Sequence, residues 1–435
     1  MDRFSSFFVS RTRNVIPAFT SYMRGLFQSE RVNMLRMSEV NTVDHQAMQH
    51  MLTDAGVDWK GFTAQIAQDT DALLGGPDAF LLLDESAFAK KGEASAGVAR
   101  QWNGRLGKVD NCQVGVFASL CRGEMASLVE ARLYLPKGWS EDPARCRKAA
   151  IPEDQRVYRS KSQLALEMVI SARQRGLRFG TVVVDGGYGK EPAFLRALDR
   201  LGERFMADVH CAQTIYRQDP DPKVPQRSGR GRRPSVRQAH STPLRVDRWA
   251  AAQPPAAWRR LAVREGEKGT VWAEYLHARV WVWDGTEAEA HGWHLLVRRE
   301  VGANEISHYC LSNAPPHTPW CDLARTQAHR FFIEHSFREA KSEVGLSDYQ
   351  VRRWDAWHHH VALVMLGTLF LVKQKVQGRQ QWPMLSFNDL VTALAHLLPR
   401  RQLTADALAE IIDKRHRLRR QAKESHARRS AVALE

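Results

Sequence analysis

Two short apolar runs, each closing on an aspartate, constrain this chain most. They are Ala79-Phe80-Leu81-Leu82-Leu83-Asp84 and Phe179-Gly180-Thr181-Val182-Val183-Val184-Asp185. Short apolar runs without alternation fit strands buried on both faces, and such strands belong to sheets covered by helices on either side. Open α/β sheets place their chemistry at strand C-termini, so Asp84 and Asp185 are candidate functional residues. The plain alternative for either is a turn or cap residue.

The segments around them follow the same plan. Residues 112–120 and 128–135 read as strands joined by the turn Arg122-Gly123-Glu124. Residues 162–175 have a helical period closed by Gly176; a helix over 192–201 and a strand over 204–209 come next. The order predicts an α/β fold with a sheet of mixed direction. Lys90, Lys91, Gly92, Arg100, Arg105 and Lys108 follow Asp84. Gly186-Gly187-Tyr188-Gly189 follows Asp185 and reads as a loop lean enough for a polymer backbone to approach.

The flanks are of another character. Helical spacing over 15–27, 33–40, 45–52 and 62–74 makes residues 1–75 helical, with Asn41 and Thr42 as cap candidates before the third helix. Arg11, Arg13, Arg24, Arg31 and Arg36 make this region basic, as in a DNA-binding unit or any basic bundle. Farther on, Arg227-Ser228-Gly229-Arg230-Gly231-Arg232-Arg233-Pro234 has no packing face and reads as a flexible basic segment. Residues 272–283, 293–299 and 306–313 then read as strands of a β-rich insertion. Trp281, Trp283 and Trp293 are most simply core residues; the other reading has one of them stack on an extruded base. His358, His359 and His360 point about 100° apart on a helix and do not share one metal. The tail ends in Lys414-Arg415-His416-Arg417-Leu418-Arg419-Arg420, a solvated basic end or a nucleic-acid arm.

Composition narrows the partners. The 435 residues exceed one small core. Lys and Arg total 63 against 48 Asp and Glu, a formal charge of +15, which favours a polyanion. Arg11, Arg13 and Pro17 interrupt any signal-like run. The best apolar run, 361–372, is too short for a bilayer and fits a buried helix, so no membrane is expected. The six cysteines form no C-x-x-C pair, so neither a zinc knuckle nor a disulfide framework is indicated, and a reducing cytosol fits.

A third acid stands on a later helix. In Arg330-Phe331-Phe332-Ile333-Glu334-His335-Ser336-Phe337-Arg338-Glu339-Ala340-Lys341, the apolar side is Phe331, Ile333, Phe337 and Ala340, and Gly345 is the stop. Arg330, Glu334, Arg338 and Lys341 share another face, one carboxylate among three cations. The bland reading is a solvated face with ordinary ion pairs. Set beside Asp84 and Asp185, Glu334 completes a trio of hard oxygen ligands suited to Mg²⁺, or Mn²⁺ in its place. Two such ions activate an attacking oxygen and stabilise the leaving one in phosphoryl transfer. Arg330, Arg338 and Lys341 are then DNA-phosphate candidates.

The chain resembles DDE-class insertion-sequence transposases, most closely the insertion sequence 701 group of the ribonuclease-H-like superfamily. The resemblance rests on Leu82-Leu83-Asp84-Glu85-Ser86-Ala87-Phe88-Ala89-Lys90-Lys91-Gly92, on Gly97-Val98-Ala99-Arg100-Gln101, and on the stretch from Gly107 to Val116. It continues through Leu133-Tyr134-Leu135-Pro136, Val184-Asp185-Gly186-Gly187-Tyr188-Gly189 and Ile333-Glu334. Related families surround the third acid with a tyrosine, an arginine three residues on, the glutamate four further and a lysine seven further. Arg330, Glu334 and Lys341 fit that spacing, while Gln327 takes the tyrosine's place.

The resemblance implies a ribonuclease-H-like core interrupted by a β insertion, with Asp84, Asp185 and Glu334 as the metal-binding, catalytic trio. It implies cleavage and strand transfer at terminal inverted repeats, by a homodimer on DNA, in the bacterial cytoplasm at the nucleoid. The expected division is a helical DNA-binding region over 1–75 and the first part of the core over 76–210. A basic linker with the β insertion covers 211–320, the Glu-bearing part of the core 321–375, and a basic helical region 376–435. Rival readings are a metal-dependent nuclease of the same fold without strand transfer, and a catalytically silent DNA-binding descendant.

Overall fold

The first acid-ended run forms β1 (Phe80–Ala89), and the strand does not stop at Asp84. It continues five residues because β3 supplies a ladder on its other side, pairing every residue from Phe80↔Cys121 to Ala89↔Cys112. The parallel ladder to β5 (Thr181–Val184) ends at Leu83↔Val184. Asp84 therefore stands mid-strand, at the level where the parallel pairing gives out, and Asp185 follows at the same level. The computed structural model describes residues 2–9, 13–29, 32–104, 106–226, 233–266 and 269–432. Arg11, Arg31, Arg105 and the arginine–glycine stretch 227–232 lie outside the described residues.

Around β1 and β5 lie β2 (Ala99–Asn103), β3 (Lys108–Arg122), β4 (Met125–Leu133) and β6 (Phe205–Val209). β7 (Arg259–Gly266), β8 (Gly269–Val282), β9 (His291–Glu300) and β10 (Ile306–Ser312) complete one ten-stranded sheet among the described residues. Its order is β2-β3-β1-β5-β6-β10-β9-β8-β7, with β4 beside β3 on the same edge as β2. β1, β5 and β6 run parallel, and the other pairings are antiparallel. The fold is thus mixed α/β, consistent with the ribonuclease-H-like expectation. The β-rich segment continues the central sheet, because β10 pairs with β6. β2 and β7 were not foreseen: Ala99-Arg100-Gln101-Trp102-Asn103 and Arg259-Arg260-Leu261-Ala262-Val263-Arg264-Glu265-Gly266 carry too few apolar residues.

β3 is buried without alternation from Cys112 to Cys121, so both faces of the sheet are covered there. The covering helices are α1 (Ile16–Gln28), α2 (Met34–Val40), α3 (His45–Thr53), α4 (Trp59–Leu74), α5 (Lys161–Gln174) and α6 (Pro192–Arg200). After the insertion come α7 (Trp320–Ala328), α8 (Arg330–Glu343), α9 (Trp354–Gly378), α10 (Phe387–Leu397) and α11 (Ala405–Val432). Asp44 caps α3, its carboxylate accepting from Gln46 N at 2.8 Å; neither Asn41 nor Thr42 does so. Asn41 closes α2 instead and donates to Ser21 O and Met37 O.

α9 is the axis of the helical side. Its 25 residues are long and apolar enough to cross a bilayer, but its apolar residues from Val361 to Leu366 are buried in protein. Its histidines face three ways and each finds its own partner. His358 Nδ1 lies 2.9 Å from Trp354 O, His359 Nδ1 2.6 Å from Leu52 O, and His360 Nδ1 2.7 Å from the Tyr22 hydroxyl. Burial pushes His358 and His360 down to about 4. The N-terminal basic residues are partly spent internally: Arg13 donates to Asp54 O and Arg36 pairs with Glu39. Lys414 and Arg415 likewise pair with Asp44 and Glu39, tying α11 to α2 and α3. All six cysteines are free.

Candidate active site

α8 is set by its apolar face. Phe332, Ile333, Phe337 and Ala340 are buried, and Phe337 meets Phe117 of β3 edge-on with ring centroids 5.2 Å apart. Phe332 takes the core position expected of Phe331, which is only half-buried. The helix stops as foreseen: Gly345 adopts φ +68°, and Leu346 N reaches back to Ala340 O at 3.0 Å. With the apolar face inward, Arg330, Glu334, Arg338 and Lys341 line a cleft of about 840 Å³ whose other wall carries Asp84 and Asp185. All six sequence-derived residues thus share one cleft.

The two aspartates are bound differently. Asp84 Oδ1 accepts from Glu85 N at 2.7 Å. Asp185 caps the one-turn helix Gly186–Gly189, its Oδ1 accepting from Gly187 N at 2.9 Å and Tyr188 N at 3.3 Å. That segment was expected to be a loop open to a polymer. At Gly189 the lack of a side chain serves packing instead, since a Cβ there would lie 1.8 Å from the Asp208 carbonyl oxygen. Asp84 is half-buried and lines the cleft. Burial, then the neighbouring Asp185 charge, push its carboxyl up to about 8, against the opposing pull of Arg330.

Glu334 is engaged elsewhere. Its Oε1 accepts from Arg330 Nη1 at 2.6 Å, and Arg330 Nε donates to Asp208 Oδ2 at 3.0 Å. Arg330 is thus committed to two carboxylates. Arg338 is exposed and has no ion-pair partner among the described residues, while Lys341 Nζ stands 5.7 Å from the Phe88 ring centroid. Among the described residues no three His, Cys, Asp or Glu side chains form a ready-made cation site. The donor set still fits a hard divalent cation. Asp84 and Asp185 bring two carboxylates to the same level of adjacent strands, and Glu334 borders the same space.

Three participants escaped the sequence. Glu85 lines the cleft and is neutralised by Lys161 at 2.7 Å. Asp208 lies inside the buried strand β6, and an acid within an apolar run was its only signal. Trp102 is 55% exposed at the cleft rim. Of the tryptophans singled out, Trp293 is buried against Phe205 with centroids 4.9 Å apart, and Trp283 Nε1 donates to Glu287 O at 3.0 Å.

Known proteins resemble this chain in sequence. The profile of a family described as DDE superfamily endonuclease matches residues 13–270, which include Asp84 and Asp185 and end before Glu334. A protein of Microchaete diplosiphon described as "Probable transposase for insertion sequence element IS701" is 22% identical over 317 residues, 72% of this chain and 70% of its own length. With its mixed sheet and its cleft acids disposed as above, the chain belongs to the DDE superfamily of endonucleases.

Proposed function

We propose that this chain cuts DNA at the terminal inverted repeats of its own element and joins those ends to a target, using Asp84, Asp185 and Glu334 with Mg²⁺ or Mn²⁺. The observation that carries the reading is the convergence of Asp84, Asp185 and Glu334 on one cleft bordered by Arg338 and Lys341. Clustered carboxylates offer a set of hard oxygen ligands. When bound, two divalent ions supply an activated oxygen nucleophile and charge stabilisation at the leaving oxygen. The chain's own groups do the rest. Asp84 and Asp185 would hold the ions against the sheet, with Glu334 completing the site from α8. Arg338 and Lys341 hold the flanking phosphates, and Trp102 offers a ring to a base at the rim.

The basic helical regions 1–75 and 376–435 hold the DNA ends, flanking a core built from 76–210 and 321–375 with the insertion 211–320 between. Arg417, Arg419 and Arg420 support that role, having no ion-pair partners among the described residues. The working form is a homodimer on DNA in the bacterial cytoplasm. The test incubates the purified chain with Mg²⁺ and DNA carrying the ends that flank its gene, with Glu334→Gln alongside. Cutting and joining by the wild type, and neither by the variant, are expected. Cutting without joining would reassign the chain to nucleases that do not transfer strands.

A further inference from the structure

Asp208 is a buried acid outside the trio. It stands on β6, the strand next to β5, and is 8% exposed. Three groups converge on it. Arg330 Nε reaches Oδ2 at 3.0 Å, His308 Nδ1 lies 3.1 Å from the same oxygen, and the Cys310 thiol reaches Oδ1 at 3.0 Å. Burial alone would raise its proton affinity. The His308 hydrogen bond and charge, with the Arg330 charge, outweigh burial and hold the carboxyl below the usual range. An ionised carboxylate this deep exists for its partners.

The partner that matters is Arg330. A guanidinium presents its donors in one rigid plane, so fixing one edge fixes where the other points. Asp208 fixes the Nε edge, and the Nη1 edge meets Glu334 at 2.6 Å. With its side chain only 21% exposed, Arg330 is poorly placed to serve as a mobile phosphate clamp. Arg338, exposed and without an ion pair among the described residues, suits that task better.

We propose that Asp208 is a positioning residue: through Arg330 it sets where the Glu334 carboxylate stands relative to Asp84 and Asp185, and so sets how tightly the trio takes a divalent cation. The proposal rests on the metal-dependent reading above, but it concerns cation binding and can fail separately from it. Without the Asp208 charge, Arg330 loses its anchor and turns wholly to Glu334, which must then be pulled from a looser but undivided ion pair.

The test is Mn²⁺ titration of the full-length chain without DNA, read by calorimetry, for wild type, Asp208→Asn, Asp208→Glu, Glu334→Gln and the Asp208→Asn/Glu334→Gln double variant. Asp208→Asn should raise the half-saturating Mn²⁺ concentration by about 10–100-fold, the usual effect of losing a partner behind a metal ligand. Asp208→Glu, which keeps the charge, should recover most of it. The deciding readout is the coupling: once Glu334 is Gln, removing the Asp208 charge should change Mn²⁺ affinity by less than about twofold. Equal shifts in both backgrounds would mean that Asp208 acts on the fold or on Asp84 directly, and would overturn the proposal. No shift in either would do the same. If Asp208→Asn does not fold, Arg330→Gln carries the same test against Glu334→Gln. A chain that shows the coupling yet cuts no DNA end sinks the transposition reading and leaves this one standing. A wild type that binds no Mn²⁺ sinks both.

Discussion

Gln327 accepts a hydrogen bond from the Tyr275 hydroxyl at 3.1 Å, joining α7 to strand β8 of the insertion. Arg298 Nη1 on β9 donates to the same oxygen at 3.2 Å. Gln327 is 3% exposed, so the residue in the tyrosine position of the related signature is a buried strut that ties the Glu334-bearing region to the insertion. Gln327→Leu strands two buried donors at a cost of about 1–3 kcal/mol. A lower melting temperature is expected, with the Mn²⁺ affinity of the folded protein unchanged; an equal melting temperature would remove the strut.

Glu334→Gln keeps the shape of the side chain and removes its charge. End cutting should fall by about a hundredfold or more, while binding of end DNA persists. Parallel gel-shift and cleavage assays read the two apart. A variant that cuts at the wild-type rate would remove Glu334 from the chemistry.

Asp84 gives the metal-free protein a pH signature. Its folded-state value, pushed up to about 8, lies above the ordinary carboxylate value. The stability of its neutral form is therefore present below that ordinary value and lost as pH rises through the folded value. In EDTA the melting temperature should decline over this interval, and Asp84→Asn should flatten the decline. Added Mg²⁺ should stabilise the wild type more at the alkaline end. Equal stabilisation at both ends would argue against ion binding at Asp84.

The histidines of α9 act in the opposite direction. His358 and His360 are pushed down to about 4 by burial, so their stability contribution is present above the unfolded value and lost as pH falls through the folded one. Thermal unfolding should weaken steadily from pH ~6.5 to ~4. His360→Gln, which does not titrate, should make the profile shallower, and an unchanged slope would count against this account.

Trp102→Ala should weaken binding of end DNA by about 1–3 kcal/mol if its ring stacks on a base. Trp102→Phe should keep most of the affinity. Because the side chain is exposed, neither change should move the melting temperature by much. Equal affinity of all three proteins would leave Trp102 an ordinary surface residue.

The parts of the site that were legible are those with short-range signals. Asp84 and Asp185 close apolar runs, and Glu334 shares a helical face with cations at i±4, so local period alone gathered them. What stayed hidden depends on distant partners. Nothing near Asp208 announces Arg330, 122 residues away, and nothing near Gln327 announces Tyr275. β1 was cut short at Asp84 because the extension to Ala89 exists only through pairing with β3. The edge strand β2 and its Trp102 carry a polar pattern that resembles a loop.

The pairing of β10 with β6 has a mechanical consequence. Backbone bonds between Tyr309–Ser312 and Val209–Met206 weld the insertion to the strand that carries Asp208. Swinging the insertion as a separate body would break that ladder, at about 0.5–1.5 kcal/mol for each bond lost. On the proposed reading, duplex held by the insertion would stand at a fixed offset from the acids. The sheet would then act as a ruler, with the position of a cut measured by strands and not by a hinge.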